Sequence, residues 1–156
     1  MDKGLIPKIS LIEASATDIP VLVGFLGELF KLEADFQPNS VQQTAAIKSI
    51  LSNPGHAVIF KIDVGGEAAG MVALHFSIST AEGGWAGRIE DVYLKPEFRR
   101  RGIGKQVMKE LITFGLNKGL KCLTLIADKD NKPALAFYKA CGFKEMNLVN
   151  FIKKIN

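Results

Sequence analysis

Long apolar runs are missing from this sequence: none reaches the roughly 18 residues that a membrane-spanning helix requires. The opening Met1-Asp2-Lys3-Gly4 is followed only by a short apolar patch broken at Pro7 and Lys8, which argues against a secretory leader. Cysteine is nearly absent. Cys122 and Cys141 have no short metal-type spacing, and two thiols in 156 residues fit a reduced, cytoplasmic protein better than a disulfide framework. Histidine is equally scarce, and His56 and His75, in strand-like segments, stand apart from any cysteine or acidic cluster. No metal site is expected.

What is present is the composition of a soluble globular chain, with 47% hydrophobic and 23% charged residues, and its length suits one domain spanning residues 1–156. The formal net charge is +4. Basic residues cluster at Arg88, Lys95, Arg99, Arg100, Arg101 and Lys105, which suits an anionic partner; charge alone does not choose between nucleic acid and a phosphorylated small molecule.

Residues 8–14 alternate as a strand. Thr17 is expected to cap a helix with Ile19, Leu22, Val23, Leu26, Leu29 and Phe30 on its apolar stripe. Ser40 followed by Gln43 signals a second helix, closed at Asn53-Pro54-Gly55. Strands over residues 57–64 and 67–79 flank a Gly65-Gly66 hairpin turn. A long strand is predicted over residues 85–94, then a helix opened at Gly102 and ended at Gly119. A buried strand over residues 120–127 follows, with a short helix capped by Asn131. One or two strands over residues 143–155 close the chain. The fold class is mixed α/β, a single sheet of six or seven strands flanked by about four helices.

A strand followed by a basic loop and Gly102-x-Gly104 at a helix start describes an anion site. The first helical turn has unpaired N–H groups, the dipole favours negative charge, and glycine lets backbone approach a phosphate. A Walker A loop would need glycine at Arg99 and Ser or Thr at Gln106, and a dinucleotide loop would need a small residue at Val107, so both fail.

Arg99-Arg100-Arg101-Gly102-Ile103-Gly104 matches the Arg/Gln-x-x-Gly-x-Gly/Ala pattern of the GNAT N-acetyltransferase superfamily. Glu90-Asp91-Val92-Tyr93-Leu94-Lys95-Pro96-Glu97-Phe98 resembles that family's central strand and exit. Asn131-Lys132-Pro133-Ala134-Leu135-Ala136-Phe137-Tyr138-Lys139-Ala140-Cys141-Gly142-Phe143 resembles its second signature, so the likeness covers nearly the whole chain. The resemblance implies an acetyl-CoA-dependent enzyme in which the amides of Arg99, Arg100, Arg101, Gly102, Ile103, Gly104 and Lys105 hold the CoA pyrophosphate. It further implies that the central strand, around Val92, Tyr93 and Leu94, splays from its parallel neighbour and pairs with the pantetheine arm. Asn131 would bond that arm, with Ala134, Phe137 and Tyr138 near its end.

Acetyl transfer to nitrogen needs an amine freed of its proton, although such amines have a pKa near ~10.4. It also needs donors for the developing oxyanion, here a backbone N–H near Val92, and an acid for the departing thiolate. The resemblance, which over Glu90-Asp91-Val92-Tyr93-Leu94 is to the polyamine and diamine branch, offers Tyr138 as acid and Glu90 as base, directly or through water. Tyr93 is less suited as the acid because strand alternation points it away from Val92 and Leu94. In a regular strand Glu90 and Asp91 face opposite ways, which a bulge would blur. Glu33 and Asp35 could line the acceptor side, although a solvated helix end also explains them. The expected acceptor is a small primary amine (polyamine, diamine or amino-acid-like). Peptide lysines, aminoglycosides, longer acyl donors and a non-catalytic CoA-binding module stay open. Neither nucleic acid nor membrane is expected as a partner, and the family's usual homodimer is.

Overall fold

Alternation and turn chemistry decide the first half of the structure, a computed structural model that describes residues 7–155. Strand β1 (Ile9–Glu13) leads through a 3-10 turn (Ala16–Asp18) into helix α1 (Ile19–Leu32), then helix α2 (Ser40–Leu51). Strands β2 (Ala57–Val64) and β3 (Glu67–Ser79) form a hairpin. Both turn residues are left-handed, Gly65 at φ 63° and Gly66 at φ 90°, as a two-residue turn of this hand requires. Asp63 Oδ1 accepts the Gly66 N–H at 2.9 Å and closes that turn.

Strand β4 (Gly84–Leu94), helix α3 (Ile103–Lys118), strand β5 (Cys122–Leu125) and helix α4 (Lys132–Ala140) complete the described elements. The sheet has strand order β1-β2-β3-β4-β5; only the β4–β5 pair is parallel. The chain separates into a unit ending at Ile126 and a second beginning at Ala127.

In the first unit α1 and α2 cover one sheet face. Leu22, Phe25, Leu26 and Ile47 bury there against Ile59, Met71, Ala73 and Tyr93. Helix α3 carries the other apolar stripe, Ile103, Val107, Met108 and Leu111, spaced as a 3.6-residue period dictates, and Phe114 meets Phe60 edge-on at 5.1 Å. Each such side chain contributes about 1.5–3 kcal/mol on burial, so these two layers hold the sheet rigid beneath the site.

Several expectations need correction. Thr17 lies inside the 3-10 turn. The capping box is Ser15 with Asp18, whose Oδ2 accepts the Ser15 N–H at 2.9 Å, because the three-residue spacing of the box begins earlier than Thr17. Helix α2 is capped by Asn39, whose extended backbone brings Oδ1 to the Gln42 N–H at 3.1 Å. His56 sits in the turn before β2, its N–H held by Asn53 O at 2.9 Å. Strand β5 is shorter than residues 120–127, since Leu120 N–H turns back to cap α3 through Gly115 O.

The described sheet has five strands rather than six or seven. Residues 143–155 form no strand, and Met146, Leu148, Val149, Phe151 and Ile152 are exposed. An extended segment becomes a strand only when its backbone finds a ladder. Among its described residues the second unit contains no strand to supply one.

Candidate functional site

Strand β4 changes character halfway along. Residues 86–89 pair with β3 on one side and with all of β5 on the other. β5 ends at Leu125, opposite Ile89, so residues 90–94 keep β3 but have no ladder partner on the β5 side.

The same stretch is bulged. Ala73 pairs with Glu90 and Met71 with Tyr93, so Asp91 and Val92 together face the single residue Val72. Asp91 takes the left-handed conformation at φ 52°, which an aspartate tolerates better than most residues. Beyond the bulge β3 and β4 come very close. A Cβ on Gly70 would lie 2.0 Å from Tyr93 O, so only glycine fits there. Tyr93 is buried, its ring 5.5 Å from that of Phe25, and the Arg99 guanidinium stacks on it at 5.5 Å. Leu94 O accepts from Arg99 Nε at 2.8 Å, which ties the strand's end to the basic loop.

That loop reverses hand twice, at Arg100 (φ 58°) and Gly102 (φ 78°), before α3 begins. Gly102 offers no side-chain acceptor to cap the helix. Ile103 is fully buried and anchors the first turn, while Arg99, Arg100, Arg101 and Lys105 are exposed. Arg101 Nη1 donates to Glu97 O at 3.4 Å, and its guanidinium lies 5.9 Å from the Phe98 ring. A helix start capped by no side chain, ringed by exposed guanidinium groups, favours an anion.

The bulge also gathers charge. Arg88 Nε holds Glu90 Oε1 at 2.6 Å. His75 Nε2 lies 3.4 Å from Glu90 Oε2, within ion-pair reach but outside hydrogen-bonding geometry, and this buried nitrogen has no hydrogen-bond partner. Burial pushes the Asp91 carboxyl up to about 6; Glu90 and Glu33 push the same way, and His75 opposes them. Strict alternation would send Asp91 to the face opposite Glu90. The bulge breaks that alternation, and the charges of Glu90, His75 and Glu33 all act on the Asp91 carboxyl. Sequence reasoning named Glu90 as the base, set Asp91 on the opposite face unless a bulge intervened, counted Arg88 only in the basic cluster, and gave His75 no role in the site. The adjacent Glu-Asp pair was visible, but the bulge has no composition signal.

In the second unit the remaining predicted residues gather on α4. Asn131 caps the helix, its Oδ1 accepting the Ala134 N–H at 3.2 Å. Phe137 and Phe143 contact the Tyr138 ring at 5.2 and 6.0 Å, and Ala134, Phe137 and Tyr138 are half-buried. Among the described residues no group of three or more His, Cys, Asp or Glu is placed to hold a metal ion, and no helix is long and apolar enough to cross a membrane.

The chain is 36% identical over 103 residues to a thialysine N-epsilon-acetyltransferase of Bos taurus, a match spanning 64% of this chain and 55% of that protein. The chain therefore covers about half the length of that relative. The crystal structure of a possible acetyltransferase from Clostridium difficile 630 superposes with TM-score 0.84 at 19% identity, over 95% of this chain and 98% of that one. A predicted acetyltransferase from Clostridium acetobutylicum, crystallised with acetyl-CoA, gives TM-score 0.73 at 20% identity over 94% and 96%. The family model described as Acetyltransferase (GNAT) family matches residues 26–143, three-quarters of the sequence and the whole of the bulged strand, the glycine loop and α4, and the chain belongs to that family.

Proposed function

We propose that the protein is an N-acetyltransferase that moves an acetyl group from acetyl-CoA to the primary amine of a small polyamine, diamine or amino-acid-like molecule. The observation that carries this reading is the continuity of β4. Its unpaired edge over residues 90–94 runs directly into a left-handed loop and a helix start with no side-chain cap. A pantetheine arm added along that edge would satisfy backbone groups around Val92, Tyr93 and Leu94. Its pyrophosphate would then fall at the amides and side chains of Arg99, Arg100, Arg101, Gly102, Ile103, Gly104 and Lys105. Asn131, whose oxygen is engaged in capping, would offer its amide nitrogen to the arm, with Ala134 and Phe137 packing beside it.

The bulge favours an amine acceptor. Glu90, Asp91 and Glu33 make the region negative, which draws a cation, and the thialysine-acetylating relative acts on such a molecule. In the reaction a carboxylate of the bulge, with Glu90 the residue that the family resemblance assigns, accepts the amine's proton. A backbone N–H near Val92 meets charge developing on the acetyl oxygen, and Tyr138 gives a proton to sulfur. Transfer is direct, in a ternary complex. Residues 1–156 act as one functional domain, working in the cytoplasm as a homodimer, which light scattering of the purified protein checks.

The test is thiol release from acetyl-CoA against thialysine, lysine, spermidine, putrescine, an aminoglycoside and a lysine peptide. Turnover is expected with the small flexible amines; turnover confined to the aminoglycoside or peptide would sink the acceptor assignment. Tyr138→Phe is expected to lower kcat about 100-fold while CoA affinity stays within about twofold. Unchanged kcat would remove Tyr138 from the mechanism.

A further inference from the structure

We infer that Asp91, not Glu90, takes the proton from the acceptor amine, and that Glu90 is a positioning residue held between Arg88 and His75. The inference rests on the acetyltransferase reading and sharpens the chemistry of that same site.

Three observations carry it. Both oxygens of Glu90 face cationic or protonatable groups: Oε1 meets Arg88 Nε at 2.6 Å, and Oε2 meets His75 Nε2 at 3.4 Å. An oxygen already engaged by a guanidinium is held in place, so Glu90 is fixed by its partners. Asp91 has no such clamp among the contacts that define it; the charges around it are those of Glu90, Glu33 and His75. The β-bulge is the second observation. It costs a ladder position, puts a non-glycine residue at φ 52°, and removes Asp91 from the regular alternation that would set it opposite Glu90. Third, the bulge lies just beyond the end of β5, so the backbone at Asp91 has no ladder partner on that side. Burial and its acidic neighbours raise the proton affinity of Asp91 to about 6, nearer neutrality than an ordinary carboxylate and better matched to a base.

The step balances. The ammonium form of the acceptor gives one proton to the Asp91 carboxylate, leaving a neutral amine. The amine nitrogen bonds to the acetyl carbon as the carbon–sulfur bond breaks with its electron pair on sulfur. The second proton that nitrogen sheds balances the one that sulfur takes up. Amide and thiol leave, and Asp91 returns its proton to water.

The groups facing Asp91 fix the pH behaviour: Glu90 beside it on β4, with Arg88 tied to Glu90, His75 on β3, and Glu33 at the end of α1. The experiment is the pH dependence of kcat for wild type, Asp91→Asn and Glu90→Gln, with saturating acetyl-CoA and the best amine of the panel above. Wild type should lose activity on the acid side as a single group protonates near pH 6. Asp91→Asn should lower kcat at pH 7.5 about 100-fold, keep KM for acetyl-CoA within about twofold and abolish the acid limb. Asparagine favours the left-handed conformation at least as well as aspartate, so the bulge should survive. Glu90→Gln should keep the limb but move it to lower pH, because the negative charge that raises Asp91 is gone.

An acid limb abolished by Glu90→Gln and kept by Asp91→Asn overturns the inference and hands the base to Glu90. A limb kept by both variants overturns it too. If Asp91→Asn does not fold, the Glu90→Gln profile alone still decides, since a limb moved down supports Asp91 and a vanished limb excludes it. Wild type that turns over no amine removes the acetyltransferase reading itself, and this inference with it.

Discussion

The two halves of strand β4 obey different rules. Residues 86–89 are paired on both sides, Ala86 and Ile89 are buried, and the backbone is regular. Residues 90–94 are paired on one side only, bulged at Asp91 and pinched against β3 at Gly70. The first half spends its backbone polarity inside the sheet and has nothing left to offer a ligand. The second half leaves one edge of donors and acceptors without a ladder and breaks the alternation of its acidic pair, departures that cost stability and recur where function needs them. Within β4 the irregularity is thus confined to one half of the strand, the half proposed to meet the ligand, while the other half stays a regular ladder.

The strongest way to break this comparison is at the pinch. Gly70→Ala places a Cβ 2.0 Å from Tyr93 O, a backbone atom that cannot step aside. We expect a loss of about 3 kcal/mol in chemical denaturation, at the upper end of overpacking costs, with the m-value unchanged. A loss under about 1 kcal/mol would mean that the two strands part easily and that the pinch does not hold the bulge. Next comes the loop. Gly102→Val puts a β-branched residue at φ 78° and a side chain where an anion should approach the amides. Calorimetry with CoA should show Kd raised about 50-fold, while equal affinity would move the pyrophosphate away from the start of α3.

How far the sequence reaches follows the same division. The hairpin was legible because Gly65-Gly66 lies between two alternating runs, and α3 because Ile103, Val107, Met108 and Leu111 keep a helical period between Gly102 and Gly119. Local chemistry decides both. The basic loop was legible because glycine and arginine declare it within six residues. The bulge could be named only as a possibility, and the meeting of His75 with Glu90 could not be read at all, because both depend on cross-strand register, which leaves no period behind. The C-terminal segment failed for the opposite reason. Its apolar residues suggest strands, but pairing requires a neighbour that sequence pattern alone cannot supply.

A third prediction concerns the cost of the irregular half. The folded-state proton affinity of Asp91 is raised, from 3.8 to about 6, so the folded protein holds this proton more tightly than the unfolded chain does. Its contribution to stability is therefore fully present below about pH 3.8 and lost as pH rises through about 6. Asp91→Asn removes the titration. The variant should gain about 2 kcal/mol over wild type at pH 7, a gain that shrinks toward zero as pH falls to 4, measured by urea unfolding at several pH values. No gain at pH 7 would mean that the carboxylate is solvated, and the bulge would then carry no electrostatic penalty.

The smallest effect belongs to the regular part of the molecule and serves as the control. Asp18 accepts the Ser15 N–H in the capping box and pairs with Lys61 Nζ at 2.6 Å across to β2. The Lys61 hydrogen bond, with that from Ser15, holds the Asp18 carboxyl below its ordinary value. Here the sign reverses: the stabilisation is present above about pH 3.8 and lost as pH falls through the lower folded value. Asp18→Asn should cost about 1 kcal/mol at pH 7 and progressively less in acid, while kcat stays within about twofold. Opposite pH trends for Asp18→Asn and Asp91→Asn in one unfolding series would separate a carboxylate that secures the fold from one the fold strains. Parallel trends would show that the two halves of the comparison share a single electrostatic regime, and the case for a specialised bulge would fail.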